Sequence, residues 1–169
     1  MANYLSFFRI IIALPVVGAI LMDQTAMAIV LFLAGALSDL IDGKVARERG
    51  EEGTLGKLLD PLADKVLVLS ALTAMIEVQM VKALPVILLL VRELSISFMR
   101  SLAVQQGVVI SASVLGKAKT FLEFTSVLLI LSGFWIGTAL LWASVALAYI
   151  SLYDYIRVYL RSTSGLNYH

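Results

Sequence analysis

The sequence predicts an all-α, polytopic membrane protein with six transmembrane helices, on three observations. Of its 169 residues 60% are hydrophobic and 15% charged, with a mean hydropathy of +0.96. A soluble domain carries about a quarter charged residues because its surface must be wetted, and this chain falls well short of that. Its apolar residues fall into six stretches, 4–22, 26–43, 57–78, 82–104, 115–136 and 138–160, each near the roughly 20 residues that cross a bilayer. Its Lys and Arg residues then segregate to one side when the spans alternate in direction.

Within lipid each backbone polar group must be paired inside its own segment, so each span is read as a helix. The first span contains Arg9 and resembles a signal peptide in length. The text GAILMDQTA after it offers no cleavage site, so it is read as a retained anchor. Two longer connections are expected, at 44–56 and 105–114. With the N-terminus inside, Arg9, Lys44, Arg47, Arg49, Lys57, Lys65, Arg92, Arg100, Lys117, Lys119, Arg157 and Arg161 fall in the cytoplasmic half, against Lys82 alone outside. Twelve against one places both termini on the cytoplasmic side of the cell membrane. Tyr149, Tyr153, Tyr155 and Tyr159 crowd the cytoplasmic half of the last span, where amphipathic rings favour the interface. No repeat or linker divides the chain, so 1–169 is one domain.

Composition also bounds the chemistry. A formal net charge of +1 gives no bulk attraction to nucleic acid, and none is expected as a partner. Zero cysteines exclude disulfides, thiolate metal sites and Cys nucleophiles, and the single histidine is the terminal His169. An enzyme built from this chain works with carboxylates, Lys or Arg, and metal.

The residues suited to such work lie where spans two and three meet the cytoplasm, in SDLIDGKVARERGEEGTLGKLLDPLADK from position 38. Asp39 and Asp42 are three apart and Asp60 and Asp64 four apart, so each pair shares a helix face. The short connection makes spans two and three an antiparallel hairpin able to set the two faces opposite each other. Two like charges about 6 Å apart repel by roughly 3 kcal/mol at an effective dielectric of about 20. Four carboxylates in one pocket therefore call for cations, and two divalent metals with oxygen ligands, Mg²⁺ or Mn²⁺, offset them. Glu48, Glu51 and Glu52 are read as solvated loop residues. Gly43 lets a phosphate or nucleotide approach the backbone, and Arg47 offers a planar fork to phosphate oxygens. Pro61 fits a first helical turn. A divalent-cation transporter also uses intramembrane aspartates, but near the midplane rather than at one membrane face.

The run Asp39-x2-Asp42-Gly43-x2-Ala46-Arg47-x8-Gly56-x3-Asp60-x3-Asp64 resembles the signature of the CDP-alcohol phosphatidyltransferases. That resemblance implies a six-helix membrane enzyme, a homodimer, with a two-metal site open to the cytoplasm at the ends of helices two and three. It implies that Asp39, Asp42, Asp60 and Asp64 bind the metals and that Asp64 is the general base. Gly43, Ala46, Arg47 and Gly56 would lie against the cytidine diphosphate part of the donor. Asn3 and Ser6, within Asn3-Tyr4-Leu5-Ser6-Phe7-Phe8-Arg9, resemble the family's Asn-x-x-Thr-x-x-Arg start, with Ser in place of Thr, and join the donor site.

In the second half, Arg92-Glu93-Leu94, Arg100 and Gly116-Lys117-Ala118-Lys119-Thr120 are similar to the pattern of bacterial phosphatidylglycerophosphate synthases. Arg92 and Arg100 project within about 80° of each other on span four, and Lys117 and Lys119 open span five from the same side. Four cations beside a pocket for a phosphorylated donor suggest a second anionic ligand, such as a phosphorylated alcohol. Lys119 is also spaced to pair with Glu123 at i,i+4, and Arg100 to reach Glu93 through an intervening residue. The resemblance implies transfer of the phosphatidyl group of CDP-diacylglycerol to sn-glycerol 3-phosphate, with release of CMP. Inositol phosphate, or phosphatidylglycerol as in cardiolipin synthesis, is the alternative acceptor within the same donor chemistry.

Overall fold

The computed structural model describes the backbone of residues 2–49, 54–105 and 114–164, with side chains over 7–38, 62–103, 105 and 115–159. Its elements are α1 (Ala2–Leu21), α2 (Thr25–Arg49), α3 (Thr54–Glu77), α4 (Ala83–Gln105), α5 (Val114–Leu131) and α6 (Ile136–Ser164). No strand occurs among the described residues. At 1.5 Å per residue the helices run from about 27 to about 44 Å. Each matches one of the six apolar stretches, and the differences lie at the ends. α2 continues to Arg49 and α3 begins at Thr54, so most of the connection expected at 44–56 is helix. Pro61 therefore sits about two turns inside α3 and not in its first turn.

Three helix ends share one termination device. At the end of α1 the Gln24 amide donates to Ala19 O (2.8 Å) and the Asp23 amide to Ile20 O (3.1 Å). After α3, Met80 reaches Met75 O (2.9 Å) and Gln79 reaches Ile76 O (3.0 Å). After α5, Phe134 reaches Leu129 O and Gly133 reaches Ile130 O, both at 2.9 Å. This paired bonding is the Schellman pattern, which needs a left-handed residue to reverse the chain. Asp23 (φ 56°), Gln79 (φ 61°) and Gly133 (φ 79°) supply it. The tight turns thus all lie at one end of the bundle, opposite the end where α2 passes to α3 and α4 to α5.

Among the described residues α1 packs along both α2 and α3, α5 along α6, and α4 against α6 and α3. α2 and α3 meet each other only narrowly and each also touches α5. The expected hairpin of spans two and three is therefore held largely through α1. One apolar core joins all six helices, through Ile12 and Val16, Phe32, Leu67 and Leu72, Leu89, Val127, and Leu141 and Val145. Phe32 meets Phe124 with ring centroids 5.5 Å apart, tying α2 to α5. Gly35 permits the close approach of α1, α2 and α3: a Cβ there would stand 2.8 Å from Leu67 Cδ2 and 3.1 Å from Ile12 Cγ2.

The outer surface is apolar, with Ile11, Leu14, Val30, Leu84, Leu94, Phe98 and Phe121 all exposed. Among the described residues one segment, Ile136–Tyr159, is by itself long and apolar enough to cross a membrane. Phe7–Leu21 and Thr25–Ser38 are apolar but shorter. Among the described residues, α1, α3, α4 and α5 carry ionised residues that turn inward, and these build the site.

Candidate active site

One cavity of ≈ 860 Å³ gathers the polar residues of α3, α4, α5 and α6. Asp64 and Lys65 enter from α3, Arg92, Glu93 and Arg100 from α4, Lys117, Lys119 and Glu123 from α5, and Ser151 and Tyr155 from α6. The cavity thus joins Asp64 with all four cations singled out in the second half of the sequence. Their states differ. Arg92 and Lys119 are buried in ion pairs, Arg100 is half-buried, and Lys117 is exposed.

Glu93 is the centre of the buried charge. Its Oε1 accepts from Arg92 Nη1 and from Lys119 Nζ, both at 2.6 Å, and its Oε2 lies 3.1 Å from Lys65 Nζ. Lys119 Nζ also stands 2.9 Å from Glu123 Oε2, the expected i,i+4 pair. Arg92 extends the cluster to α6, its Nε donating to Ala148 O (3.1 Å) and its Nη2 to Ser151 Oγ (3.0 Å). Lys65 completes it by donating to Ser97 Oγ at 2.8 Å. Charges out of water are tolerated when paired and hydrogen-bonded, and here one carboxylate neutralises cations from three helices. Arg100 is not among the partners of Glu93, and its Nε is buried without a hydrogen-bond partner.

Asp64 is held separately. Arg9 of α1 is buried, at 1% exposure, and its Nη1 donates to Asp64 Oδ1. The Asp64 side chain remains 27% exposed and lines the cavity. Five cations line the cavity, Lys65, Arg92, Arg100, Lys117 and Lys119, against the three carboxylates Asp64, Glu93 and Glu123. Among the described residues the lining therefore has two positive charges in excess.

α2 runs as helix through Asp39 and Asp42, and α3 through Asp60 and Asp64, as one-face spacing requires. The side chains of Asn3, Ser6, Asp39, Asp42, Gly43, Ala46, Arg47, Gly56 and Asp60 lie outside those described. Among the described residues no three acidic or histidine residues gather as a metal site, and Asp64 is the one member of the carboxylate quartet within them.

Four charged residues of this arrangement were not singled out as site residues from the sequence: Arg9, Lys65, Glu93 and Glu123. A signal existed for two of them. An ionised residue within an apolar span must find a partner inside the bundle, which marks Arg9 and Glu93. Which residue each one finds depends on packing between helices far apart in sequence.

Residues 1–150 match the family profile described as CDP-alcohol phosphatidyltransferase. The chain belongs to that family. Its relatives include the CDP-diacylglycerol–glycerol-3-phosphate 3-phosphatidyltransferase of Rickettsia bellii, 30% identical over 168 residues, with 92% of each chain covered. A protein of the same description from Rickettsia prowazekii is 29% identical, again with 92% of each chain covered. The protein so described from Bacillus subtilis is 36% identical over 98 residues, covering 58% of this chain and 51% of the relative.

Proposed function

We propose that this phosphatidyltransferase makes phosphatidylglycerophosphate and CMP from CDP-diacylglycerol and sn-glycerol 3-phosphate. The observation that carries the acceptor is the cavity's excess of two positive charges next to Asp64. Glycerol 3-phosphate brings close to two negative charges and no apolar surface, so charged hydrogen bonds must bind it. Arg100 and Lys117, outside the Glu93 cluster, are its principal phosphate ligands, with Arg92 and Lys119 completing the positive wall. Phosphatidylglycerol is a weaker fit, because as a diester it carries a single charge and two acyl chains. Inositol phosphate matches in charge but not in size, and product analysis separates the two.

Asp39, Asp42, Asp60 and Asp64 would hold two divalent ions, Mg²⁺ or Mn²⁺. Asp64 fits that role, being a partly exposed carboxylate on the cavity wall, and oxygen donors of this kind suit hard cations. Bound there, the ions would offset charge on the donor pyrophosphate and on the departing CMP. Asn3, Ser6, Gly43, Ala46, Arg47 and Gly56 are assigned to the cytidine diphosphate moiety. In the reaction, Asp64 takes the proton of the acceptor's primary hydroxyl as its oxygen bonds to the phosphorus bearing diacylglycerol. The bond from that phosphorus to the CMP oxygen breaks, and CMP leaves. Arg9, by bonding one oxygen of Asp64, fixes the direction in which the carboxylate faces.

The helices are read as six membrane spans, with the active site and both termini facing the cytoplasm and the protein a homodimer. The exposed apolar surface and helix lengths support the spans, and the charges of α3, α4 and α5 face one another rather than lipid. The test is incubation of purified protein with CDP-diacylglycerol and separate alcohols, identifying products by mass. Phosphatidylglycerophosphate is expected with glycerol 3-phosphate, lost in EDTA and restored by Mg²⁺ or Mn²⁺. Full turnover in verified metal-free conditions, or equal use of unphosphorylated glycerol, would overturn the reading.

A further inference from the structure

Lys65 is the cation of the Glu93 cluster that burial does not enclose. The Arg92 and Lys119 side chains are 7% and 4% exposed, whereas that of Lys65 is 24% exposed and lines the cavity. Its ammonium carries three N–H donors, and two are engaged, by Glu93 Oε2 (3.1 Å) and by Ser97 Oγ (2.8 Å). Ser97 is exposed, so the ammonium stands at the open edge of the cluster with one donor to spare. Its charge is also in excess: among the described residues the cluster sets Lys65, Arg92 and Lys119 against Glu93 and Glu123 alone. A donor and a positive charge are thus left for an anionic ligand.

The position of Lys65 selects the anion. Glu93, Ser97 and Arg100 fall within about 60° of one another on α4, so Arg100 is the next residue on the face that Lys65 already touches. Helical side chains lean toward the N-terminus of their helix, which carries the Arg100 head back over the turn of Ser97 and toward Lys65. On α3, Lys65 directly follows Asp64, their Cα atoms about 3.8 Å apart, and both side chains line the cavity. In glycerol 3-phosphate a three-carbon chain separates the attacking hydroxyl from the phosphate. A molecule whose hydroxyl meets Asp64 therefore has its phosphate beside the same turn of α3. The donor's pyrophosphate is the other anion in the site, but both partners of Lys65 are on α4, the helix of Arg100, and neither belongs to the donor motif. We infer that Lys65 is a ligand of the acceptor's phosphate, which it shares with Arg100, and that Ser97 is a positioning residue that aims its ammonium. The inference rests on the acceptor reading above.

The test is steady-state kinetics of the purified full-length protein with each substrate varied in turn. Lys65→Met should raise the KM for glycerol 3-phosphate by about 10–100-fold, the equivalent of one charge-assisted hydrogen bond. The KM for CDP-diacylglycerol should change little. Glu93 keeps Arg92 and Lys119 in that variant, so its carboxylate stays paired. Lys65→Arg, which keeps a charged donor, should lie closer to wild type than Lys65→Met. Ser97→Ala, a small change at an exposed position, should raise the same KM by about 2–10-fold and leave thermal stability unchanged. Added to Lys65→Met it should cost nothing further, because it acts through Lys65. A readout free of the chemical step comes from 1,2-propanediol 1-phosphate, which keeps the phosphate and lacks the attacking hydroxyl. Its inhibition constant against glycerol 3-phosphate should rise in Lys65→Met in parallel with the KM. An unchanged KM for glycerol 3-phosphate in Lys65→Met overturns the inference. So does an equal or larger rise in the KM for CDP-diacylglycerol, which would assign Lys65 to the donor's pyrophosphate. Additive effects of the two substitutions overturn the role of Ser97. A wild type that does not use glycerol 3-phosphate overturns the acceptor reading and this inference with it.

Discussion

Glu93 and Arg100 stand about two turns apart on α4, face the same cavity and are placed for different work. Glu93 touches Lys65, Arg92 and Lys119 and has both oxygens committed. It is a positioning residue, and Glu93→Gln would leave Lys65 and Arg92 facing a neutral amide, with Glu123 still opposite Lys119. Removing one partner of a buried ionic group costs about 3–5 kcal/mol, so this variant should lose thermal stability and kcat together. Arg100 holds no such cluster. Arg100→Ala should leave the melting temperature nearly unchanged while raising the KM for glycerol 3-phosphate by about 10–100-fold. The KM for CDP-diacylglycerol should move little. Steady-state kinetics beside thermal unfolding checks both arms, and an Arg100→Ala variant that weakens both substrates equally would remove Arg100 from the acceptor site. The sequence made Arg92, Arg100, Lys117 and Lys119 visible as one group, since all are cations counted toward the same side on two adjacent apolar spans. It did not distinguish the two clamped by Glu93 from the two that are not. For Lys119 that difference arises from a contact between residues 26 positions apart, whereas Arg92 meets Glu93 as its chain neighbour.

At the scale of elements, apolar run length located all six helices, because lipid leaves the backbone no other way to pair. The ends were less legible. A polar, glycine-flanked text such as 44–56 reads as loop, yet α2 extends to Arg49 and α3 starts at Thr54, since helix ends need not coincide with the end of an apolar stretch. Helix neighbours were less legible still. Arg9 and Asp64 are 55 residues apart, and their contact follows from the packing of α1 along α3. That packing has a testable requirement at Gly35. A side chain there must displace Leu67 and Ile12, both core residues, and overpacking of this kind costs about 1–3 kcal/mol. Gly35→Val should lower the melting temperature in detergent and reduce kcat by shifting α1 and α3, and hence Asp64. Pairing Gly35→Val with Leu67→Ala should restore part of both. A Gly35→Val protein with wild-type stability would show that the helices do not need the close approach.

For the whole molecule, the arrangement of charge carries the topology. Of the twelve Lys and Arg residues counted toward the cytoplasm, Arg9, Lys65, Arg92 and Lys119 form ion pairs inside the bundle. Such residues are set by the site they build, as are Arg47, Arg100 and Lys117 in the reading above, so Lys44, Arg49, Lys57, Arg157 and Arg161 remain as five topogenic charges against Lys82. The bias survives the discount, and the connections agree with it. The three Schellman turns, at Asp23, Gln79 and Gly133, lie at the same end as Lys82, opposite the end where α2 passes to α3 and α4 to α5. A substrate that is water-soluble and phosphorylated must come from the cytoplasm, where such metabolites are made, so the charged end should face inward. Because the chain has no cysteine, single cysteines report this without background. In intact cells, a membrane-impermeant maleimide should label Gln24→Cys, Lys82→Cys and Ser132→Cys. Glu51→Cys and Asp154→Cys should react only after the membrane is opened. Each variant should retain transferase activity, since Gln24, Lys82, Ser132 and Asp154 are not among the cavity residues and Glu51 is an unspecified position of the donor motif. The reverse pattern would place the cavity outside and remove its access to cytoplasmic substrate. Labelling of Lys82→Cys and Glu51→Cys from the same side would mean that α3 does not cross, and the six-span reading would fall.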